Sequence, residues 1–472
     1  MFDIEPAWQV AESVRRKERS AREVTEAALE RLAAGNERLN AFVHIAPELA
    51  LQQADAIDAQ IARGEDPGPL AGVPIGVKDL EPAAGMPFTM GSRAYKDVIA
   101  DTDSVQLARL KAAGAVALGK TNTPEFGYKG FTENRLFGAT RNPWNPELTP
   151  GGSSGGSAAA VSAGLVPLAT ASDGGGSIRI PAGFCGCYGI KPTAGRIPIA
   201  GPQYSHWATH STLGPVSRTV RDSARYLDAA AGPHPDDLHS LDAPTGGYEA
   251  AAVAAPPPII RIAWSADLGY AVVDPEVAQV ARQAAEAFAK ALGAELVEAD
   301  PGFEDPMPAW FAIGAPGDTL RVEELGERAA QLEPGYLRFA ESGRGMTAVQ
   351  VAQALQTRHA VNRQVNRFLD EYTLLLTPTL AAPPFKAEGP PPMVIAGKEV
   401  GPAGFIPFTY PFNLTGHPAA SLPAGLTAAG LPVGLQVVAP RFADKLLLTV
   451  SAAFEAANPW PWPKGRSTQA GR

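Results

Sequence analysis

The chain has 472 residues, of which 45% are hydrophobic and 19% charged, a balance that is ordinary for a globular enzyme and too apolar for a disordered protein. Its formal net charge is −9 and its longest basic run is Arg15–Arg16–Lys17, which argues against nucleic acid as a partner. No apolar run reaches the roughly 18 residues that a membrane span needs. Residues 1–20 lack the apolar core of a secretory signal, so we expect a cytoplasmic protein without a membrane partner.

The first segment, residues 1–65, has the sequence pattern of helices. A Ser-x-x-Glu capping box at Ser20 predicts a helix whose apolar positions continue until Gly35, where we expect it to end. A second helix is expected over residues 48–63, followed by a turn rich in glycine and proline.

A lysine then lies inside an apolar strand. Residues 73–80 are β-branched and almost entirely apolar, which predicts a buried strand that contains Lys78. The adjacent Asp79 points to the other face of the sheet, so it is not a natural ion-pair partner for Lys78. Burial lowers the pKa of a lysine, and a neutral amine can take a proton from a serine. Lys78 is therefore a candidate general base.

Two serine clusters with flanking glycines follow, around Ser153–Ser154 and Ser177. Glycine allows close approach of the backbone to a ligand, so several N–H groups can face one pocket. A serine beside such donors can attack a carbonyl and find its oxyanion already stabilised. Since residues 151–193 contain no histidine, the base must come from elsewhere in the chain.

Two literal motif matches point to other functions. Residues 114–121 fit the phosphate-loop pattern G-x-x-x-x-G-K-T, but a helix precedes the first glycine and the spacer resembles a strand, so we interpret the match as chance. Residues 151–155 fit the G-x-S-x-G elbow of α/β-hydrolase esterases, although a proline-rich segment stands where the elbow needs a strand. That alternative would take its base from one of the later histidines, namely His206, His210, His359 or His417.

The two cysteines, Cys185 and Cys187, are one residue apart. A disulfide between them would close a very tight ring, and two ligands do not make a structural zinc site. We interpret them as small buried apolar side chains, with a redox or nucleophilic pair as the alternative.

The rest of the chain alternates helices and strands. The predicted helices cover residues 104–113, 219–231, 275–292, much of 309–370, and 444–456, and the predicted strands cover residues 115–119, 259–264, 295–298, 374–377 and 435–438. This order predicts an α/β fold with an extended sheet and helices on both faces. We expect one domain over residues 1–472, composed of the helical segment 1–65, a core 66–240, a linker-like segment 243–258 and a C-terminal α/β part 259–460, with a tail that frays from Pro459.

Several long motifs together resemble the amidase signature family. They are GVPIGVKDL around Lys78, GKTNTPEFG, GGSSGGS, SDGGGSIRIPAGFCGCYGIKPT, GPVSRTVRD and PFNLTGHPAASLPAG, in that order along nearly the whole chain. The resemblance implies a large twisted mixed sheet and a Ser–cis-Ser–Lys triad. In this chain Ser177 would be the nucleophile, Ser153 the bridging serine in a cis peptide, and Lys78 the base.

The resemblance also predicts the surroundings of the triad. The backbone N–H groups of Gly174, Gly175 and Gly176 would join that of Ser177 in an oxyanion hole, and Ser154, Ser172, Asp173 and Arg179 would support it. For Asp173 and Arg179 a purely structural ion pair is the alternative. Family members usually carry Thr, Ile or Ala where this chain has Gly174. We expect a more flexible loop there, with more room beside the scissile carbonyl.

The substrate is predicted from aromatic residues on loops. The candidates for the pocket wall are Tyr128, Tyr204, Trp207, Trp310, Phe311, Phe405 and Phe408, each of which could instead belong to the core. If several line the cleft, the substrate is an apolar or aryl amide. The nearest subgroup is that of bacterial amidases acting on aryl amides, nylon-type oligomers or carbamates. The alternative is the glutamine-hydrolysing component of a tRNA amidotransferase. We expect no metal or cofactor, and a monomer or homodimer.

Overall fold

The computed structural model describes residues 1–201 and 209–463. Within them the α-helices are α1 Ala7–Arg15, α2 Ala21–Leu39, α3 Pro47–Ala62, α4 Val105–Ala112, α5 Gly155–Ser162, α6 Arg179–Cys185, α7 Val220–Ala230, α8 Tyr248–Ala252, α9 Pro275–Leu292, α10 Met307–Leu325, α11 Pro334–Arg344, α12 Ala348–Glu371, α13 Tyr410–Thr415 and α14 Asp444–Ala457. The strands are β1 Phe42–Ile45, β2 Pro74–Lys78, β3 Val116–Thr121, β4 Glu133–Asn134, β5 Gly138–Ala139, β6 Leu168–Asp173, β7 Tyr188–Lys191, β8 Thr212–Ser217, β9 Arg261–Trp264, β10 Glu295–Glu298, β11 Leu374–Pro378, β12 Val394–Ile395, β13 Lys398–Glu399, β14 Ala419–Leu426 and β15 Pro432–Val438.

Eleven of these strands form one mixed sheet in the order β1-β3-β2-β6-β8-β7-β14-β15-β11-β9-β10. The pairs β2–β3, β2–β6, β9–β10 and β9–β11 are parallel, and the other neighbours are antiparallel. Strands from both halves of the chain meet at the β7–β14 pair in the middle of the sheet.

Helices cover both faces of this sheet, as the alternation of helices and strands predicts. Every residue of the central strands β2, β3, β7, β8 and β15 is buried. Since alternate residues of a strand point to opposite faces, full burial requires that both faces be covered. None of the helices in the described ranges is both long and apolar enough to cross a membrane.

The second helix differs from its predicted end. The capping box at Ser20 is present, but α2 continues through Gly35 to Leu39 and ends at Asn40 in the left-handed conformation. A Cβ on Gly35 would lie 3.0 Å from the side chains of both Leu165 and Phe2. Glycine is thus at this position because two side chains pack closely against the helix, and the predicted end was wrong.

The chance interpretation of the phosphate-loop match is confirmed. Gly119, Lys120 and Thr121 lie inside β3, between β1 and β2. Lys120 is fully buried, and its ammonium lies 3.0 Å from the Asp79 carboxylate. A strand paired on both sides cannot wrap a phosphate, so this segment is structural.

Two segments near the surface are more ordered than their composition predicts. The linker-like stretch 243–258 contains α8, whose first N–H groups, on Tyr248 and Glu249, donate to the Asp228 carboxylate. After Pro459, the ring of Trp462 stacks on the guanidinium of Arg218 at 3.7 Å. The described end of the tail is therefore packed and not frayed.

Candidate active site

The pairing of β2 with β6 places Lys78 beside the second of the glycine-rich loops, the one that contains Ser177. The two strands are parallel, with Ile75 opposite Leu168, so their carboxyl ends lie at the same edge of the sheet. Lys78 is the last residue of β2, and β6 ends with Ser172 and Asp173. The lysine and the loop after β6 therefore meet at that edge.

Lys78 is 1% exposed and contacts two of the predicted serines. Its Nζ lies 2.8 Å from Ser153 Oγ, 2.9 Å from Ser172 Oγ and 3.4 Å from Ser172 O. Burial lowers the pKa of Lys78 to about 7, although the negative charges of Asp173 and Glu81 oppose the shift. A neutral amine can donate to Ser172 and offer its lone pair to the Ser153 hydroxyl.

A short polar chain below Lys78 holds its backbone, and sequence reasoning did not find it. The Lys78 N–H donates to Thr170 Oγ1 at 3.0 Å, and Thr170 Oγ1 donates to Glu81 Oε2 at 2.6 Å. Glu81 also accepts from Ser104 and Gln106. No spacing rule joins these residues, because the contact exists only once β2 and β6 are paired.

The bridging position of Ser153 is supported by the backbone around it. The Gly152–Ser153 peptide bond is cis. The next residue, Ser154, donates its N–H to the carbonyl of Ser177 at 3.3 Å, so the two serine loops are in direct contact. The Ser154 hydroxyl lies 3.4 Å from both the N–H and the carbonyl of Ser172.

Asp173 and Arg179 form a fully buried ion pair behind the second loop. Arg179 donates to both carboxylate oxygens, at 3.0 and 2.9 Å, and Asn413 donates to Asp173 Oδ1 at 2.9 Å. Burial alone would raise the pKa of Asp173, but the Arg179 charge and hydrogen bonds lower it to about 2. Neither residue lines the cleft, so the pair supports the loop from behind.

The loop between β6 and α6 carries fewer open donors than predicted. The Gly176 N–H donates to Asp173 Oδ1 at 2.6 Å, so the predicted use of this group in the oxyanion hole is revised. The N–H groups of Gly174, Gly175 and Ser177 have no acceptor within the described part of the chain. These three residues also line the cleft. The open donors are those of positions 174, 175 and 177.

The cleft encloses about 970 Å³, including space open to solvent. Its floor contains Ser153, Ser172 and Ser177, and its wall includes four aromatic rings, those of Phe126, Tyr128, Trp310 and Phe339. Tyr128 and Trp310 were predicted wall residues, and Phe126 and Phe339 were not predicted. The charged groups that line the cleft are Lys129, Asp318 and Arg321.

Three of the predicted wall residues lie elsewhere. Phe405 and Phe408 are buried in the core beneath the cleft, where Phe405 packs on Phe184 and Phe385. Phe311 packs edge-on against Phe339 and does not itself reach the cleft. These predictions were wrong because sequence alone does not distinguish an aromatic core from an aromatic wall. Tyr204 and Trp207 lie outside the described residues.

Three of the four alternative bases, His210, His359 and His417, do not line the cleft, and the fourth, His206, lies outside the described residues. His210 and His417 are buried, and the nearest partner of Ser153 Oγ is Lys78. Cys185 and Cys187 are free and buried, with the thiol pKa values raised by burial, as expected for packing residues. No cluster of three or more His, Cys, Asp or Glu side chains with metal-site geometry occurs in residues 1–201 or 209–463.

The chain matches one family model and several known proteins. The family model described as Amidase matches residues 23–448. An acylamidase of Rhodococcus erythropolis is 39% identical over 461 residues, covering 96% of this chain and 95% of that protein. A glutamyl-tRNA(Gln) amidotransferase component of Synechococcus sp. (strain RCC307) is 37% identical over 481 residues, covering 96% of each.

Solved structures give the same family likeness. A bacterial aryl acylamidase of the amidase signature family superposes with a TM-score of 0.90 at 34% identity, covering 97% of this chain and 96% of that one. A 6-aminohexanoate cyclic dimer hydrolase bound to its substrate superposes with a TM-score of 0.87 at 32% identity, covering 98% of each chain.

Proposed function

The chain belongs to the amidase family and is an amide hydrolase; from this premise we propose that it cleaves aryl amides through an acyl-enzyme on Ser177. The observation that carries the proposal is the contact of Lys78 Nζ with Ser153 Oγ at 2.8 Å, in a cleft that Ser177 also lines. A buried lysine with a pKa of about 7 has the neutral form that a serine-activating base needs.

Acylation begins with a proton relay. Neutral Lys78 takes the hydroxyl proton of Ser153, which takes that of Ser177 as Ser177 Oγ bonds to the substrate carbonyl carbon. The carbonyl π electrons move to its oxygen. The open N–H groups of Gly174, Gly175 and Ser177 stabilise that oxyanion.

Collapse of the tetrahedral intermediate breaks the C–N bond. Ser153 gives a proton to the leaving nitrogen and regains one from Lys78, which returns the base to its neutral form. Water then attacks the acyl carbon, with the same relay accepting its proton, and Ser177 leaves with a proton. Amine and carboxylic acid are the products.

The wall of the cleft favours an uncharged aryl substrate over a charged one. Four aromatic rings line it, and its charged groups already have protein partners. Lys129 pairs with Glu133 and Glu333, and Arg321 lies over the Phe126 ring. Aryl amides therefore suit the cleft, and aryl carbamates and esters present the same carbonyl to Ser177.

The second candidate is a glutamine amidase that works within a tRNA amidotransferase complex, since the Synechococcus relative is by name a subunit of a glutamyl-tRNA(Gln) amidotransferase. That function requires recognition of free glutamine, which carries both an ammonium and a carboxylate. In the described cleft Asp318 already accepts from Tyr336 at 2.9 Å, and Lys129 is paired. These contacts favour the stand-alone hydrolase.

The test is a substrate panel on the isolated protein without ATP. It compares an aryl amide, an aliphatic amide, an aryl ester, an aryl carbamate and glutamine by kcat/KM. We expect the aryl amide to be turned over and glutamine not. Turnover of glutamine alone, or none without partner proteins, would contradict the proposal.

Two variants tie the activity to the site. Ser177→Ala should lower kcat for the aryl amide by about 10³-fold or more. Ser162→Ala is the control, because Ser162 is a buried serine on α5 whose hydroxyl contacts Cys185 O outside the cleft. Normal turnover by Ser177→Ala would refute the acyl-enzyme.

A further inference from the structure

The triple-glycine loop has no side chain of its own, and residues distant in sequence hold its carbonyls. Asn413 Nδ2 donates to Asp173 O at 2.8 Å, and Trp310 Nε1 donates to Gly174 O at 2.7 Å. Thr409 Oγ1 donates to Gly175 O at 2.7 Å. Three successive carbonyls of the loop are thus fixed by side chains from α10 and from the segment around α13.

The direction of each carbonyl sets the direction of the next N–H. In a trans peptide the C=O of one residue and the N–H of the following residue point in opposite directions. In the described chain only the bonds 152–153 and 389–390 are cis, so the loop peptides are trans. The indole N–H of Trp310 holds Gly174 O and thereby fixes the direction of the Gly175 N–H.

The three anchored peptides do not have the same role. The N–H that follows Gly175 O belongs to Gly176 and donates to Asp173, away from the cleft. The N–H that follows Gly174 O belongs to Gly175, which lines the cleft and has no acceptor among the described residues. Of the three side-chain bonds, only those of Trp310 and Asn413 orient an open donor, and Asn413 also supports the Asp173–Arg179 pair.

We propose that Trp310 is a positioning residue of the oxyanion hole, whose indole N–H holds Gly174 O so that the Gly175 N–H faces the reacting carbonyl oxygen. The proposal rests on the proposed function, because the hole matters only if Ser177 forms a tetrahedral intermediate. The ring also fills the space beside the loop, since a Cβ on Gly175 would lie 2.7 Å from Trp310 Cζ2. A side chain from α10 therefore both packs against Gly175 and holds the carbonyl of Gly174.

A wall residue and a positioning residue predict different effects of Trp310→Phe. This variant retains an aromatic ring and loses the N–H donor. A wall role would change KM for aryl substrates. A positioning role lowers kcat by about 10- to 100-fold with KM nearly unchanged, since loss of one oxyanion donor costs about 10²- to 10³-fold.

Methylboronic acid provides a readout without an aryl group. Ser177 Oγ adds to the trigonal boron while its proton passes to the relay, and one boron-bound oxygen then occupies the oxyanion position. We expect Trp310→Phe to weaken methylboronic acid inhibition by about the same factor as kcat. Tyr410→Phe is the control, because its hydroxyl bonds Asp305 beside the Trp310 ring and does not touch the loop. Its inhibition constant should stay within about twofold of wild type.

The outcomes separate the two proposals. An unchanged inhibition constant in Trp310→Phe, with wild-type kcat, overturns the positioning role and leaves the Ser177 mechanism intact. Full activity of Ser177→Ala, or no inhibition of the wild type by the boronic acid, overturns the mechanism itself. If Trp310→Phe does not fold, the sulfur isostere benzothienylalanine at position 310 retains the ring shape without the N–H and gives the same comparison.

Discussion

At the scale of single residues, the site depends on how one lysine is kept neutral. Lys78 is enclosed at the end of β2, and its Nζ contacts only hydroxyl and carbonyl oxygens of Ser153 and Ser172. No carboxylate is within hydrogen-bond distance of its Nζ among the described residues. The charges of Asp173 and Glu81 act from further away and only moderate the effect of burial on the pKa. Burial therefore decides the charge of the base.

The pH profile of the enzyme follows from this lysine. Its pKa of about 7 means that the neutral amine predominates above pH 7 and the inactive ammonium below it. We expect kcat/KM for an uncharged amide to rise tenfold per pH unit below about pH 7 and to level off above it. A pH–rate profile measures this. A flat profile between about pH 5.5 and 8.5 would contradict Lys78 as the base.

The buried pair behind the loop gives a prediction on stability. Arg179→Met leaves the Asp173 carboxylate fully buried without its cation, so we expect the free energy of unfolding to fall by about 3–5 kcal/mol. Urea denaturation at neutral pH measures it. Arg22→Met, which removes an exposed ion pair with Asp55, is the control and should have little effect. Equal effects of the two variants would show that burial of the pair is unimportant.

At the scale of elements, the loop after β6 is rigid because of what packs on it. Its glycines permit close approach, and α10 and the segment around α13 supply the donors that hold its carbonyls. A loop with three consecutive glycines is flexible in isolation. Here the flexibility is removed by tertiary contacts, which explains why the sequence alone predicts a looser loop than the structure has.

Gly175→Ala tests how tightly α10 packs on this loop. The added Cβ would lie 2.7 Å from Trp310 Cζ2, so either the ring or the loop must move. We expect kcat to fall by about tenfold or more with a smaller change in KM, because the open N–H groups shift. Steady-state kinetics measure the split. An unchanged kcat would show that the ring yields without moving the donors.

Much of the element order and the reacting residues could be predicted from the sequence, whereas the residues that support them could not. Lys78, Ser153 and Ser177 were predicted from a lysine inside an apolar strand, two serines flanked by glycines, and the resemblance of the ordered motifs to one family. The support from Thr170, Glu81 and Asn413 was not, because strand pairing and the return of the C-terminal half bring these residues together. The aromatic wall was half predicted, since Phe405 and Phe126 look alike in sequence and differ in that Phe405 faces the core and Phe126 faces the cleft.

At the scale of the whole molecule, distant segments meet at α7. The first N–H of this helix, on Val220, donates to Glu455 of α14 at 3.1 Å, and Asp222 in its first turn accepts from the Trp8 N–H at 2.9 Å. Burial raises the pKa of Glu455 to about 8 and that of Asp222 to about 6. These carboxyls tie both ends of the described chain to one helix.

This arrangement predicts that stability falls as the pH rises. The folded protein retains the Glu455 proton up to about pH 8, whereas the unfolded chain loses it near its ordinary value of 4.5. The free energy of unfolding therefore falls progressively as the pH rises from 4.5 to about 8. Glu455→Gln removes the penalty, so we expect it to be more stable than wild type by about 1 kcal/mol or more at pH 8.5 and nearly equal at pH 4.5. Thermal unfolding at both values measures it, and a gain that is the same at both would contradict the interpretation.

The reach of Arg179 across the sheet has a consequence for synthesis of the protein. Its guanidinium donates to Thr409 O, Asn413 Oδ1 and Gln436 Oε1. All three acceptors lie 230 residues or more after Arg179 in the sequence. A growing polypeptide holds all three reacting residues once position 177 has been made, but the buried cation has no complete set of acceptors until position 436 follows. Hydrolytic activity should therefore arise only after position 436 has been made, long after the three reacting residues are present in the nascent chain.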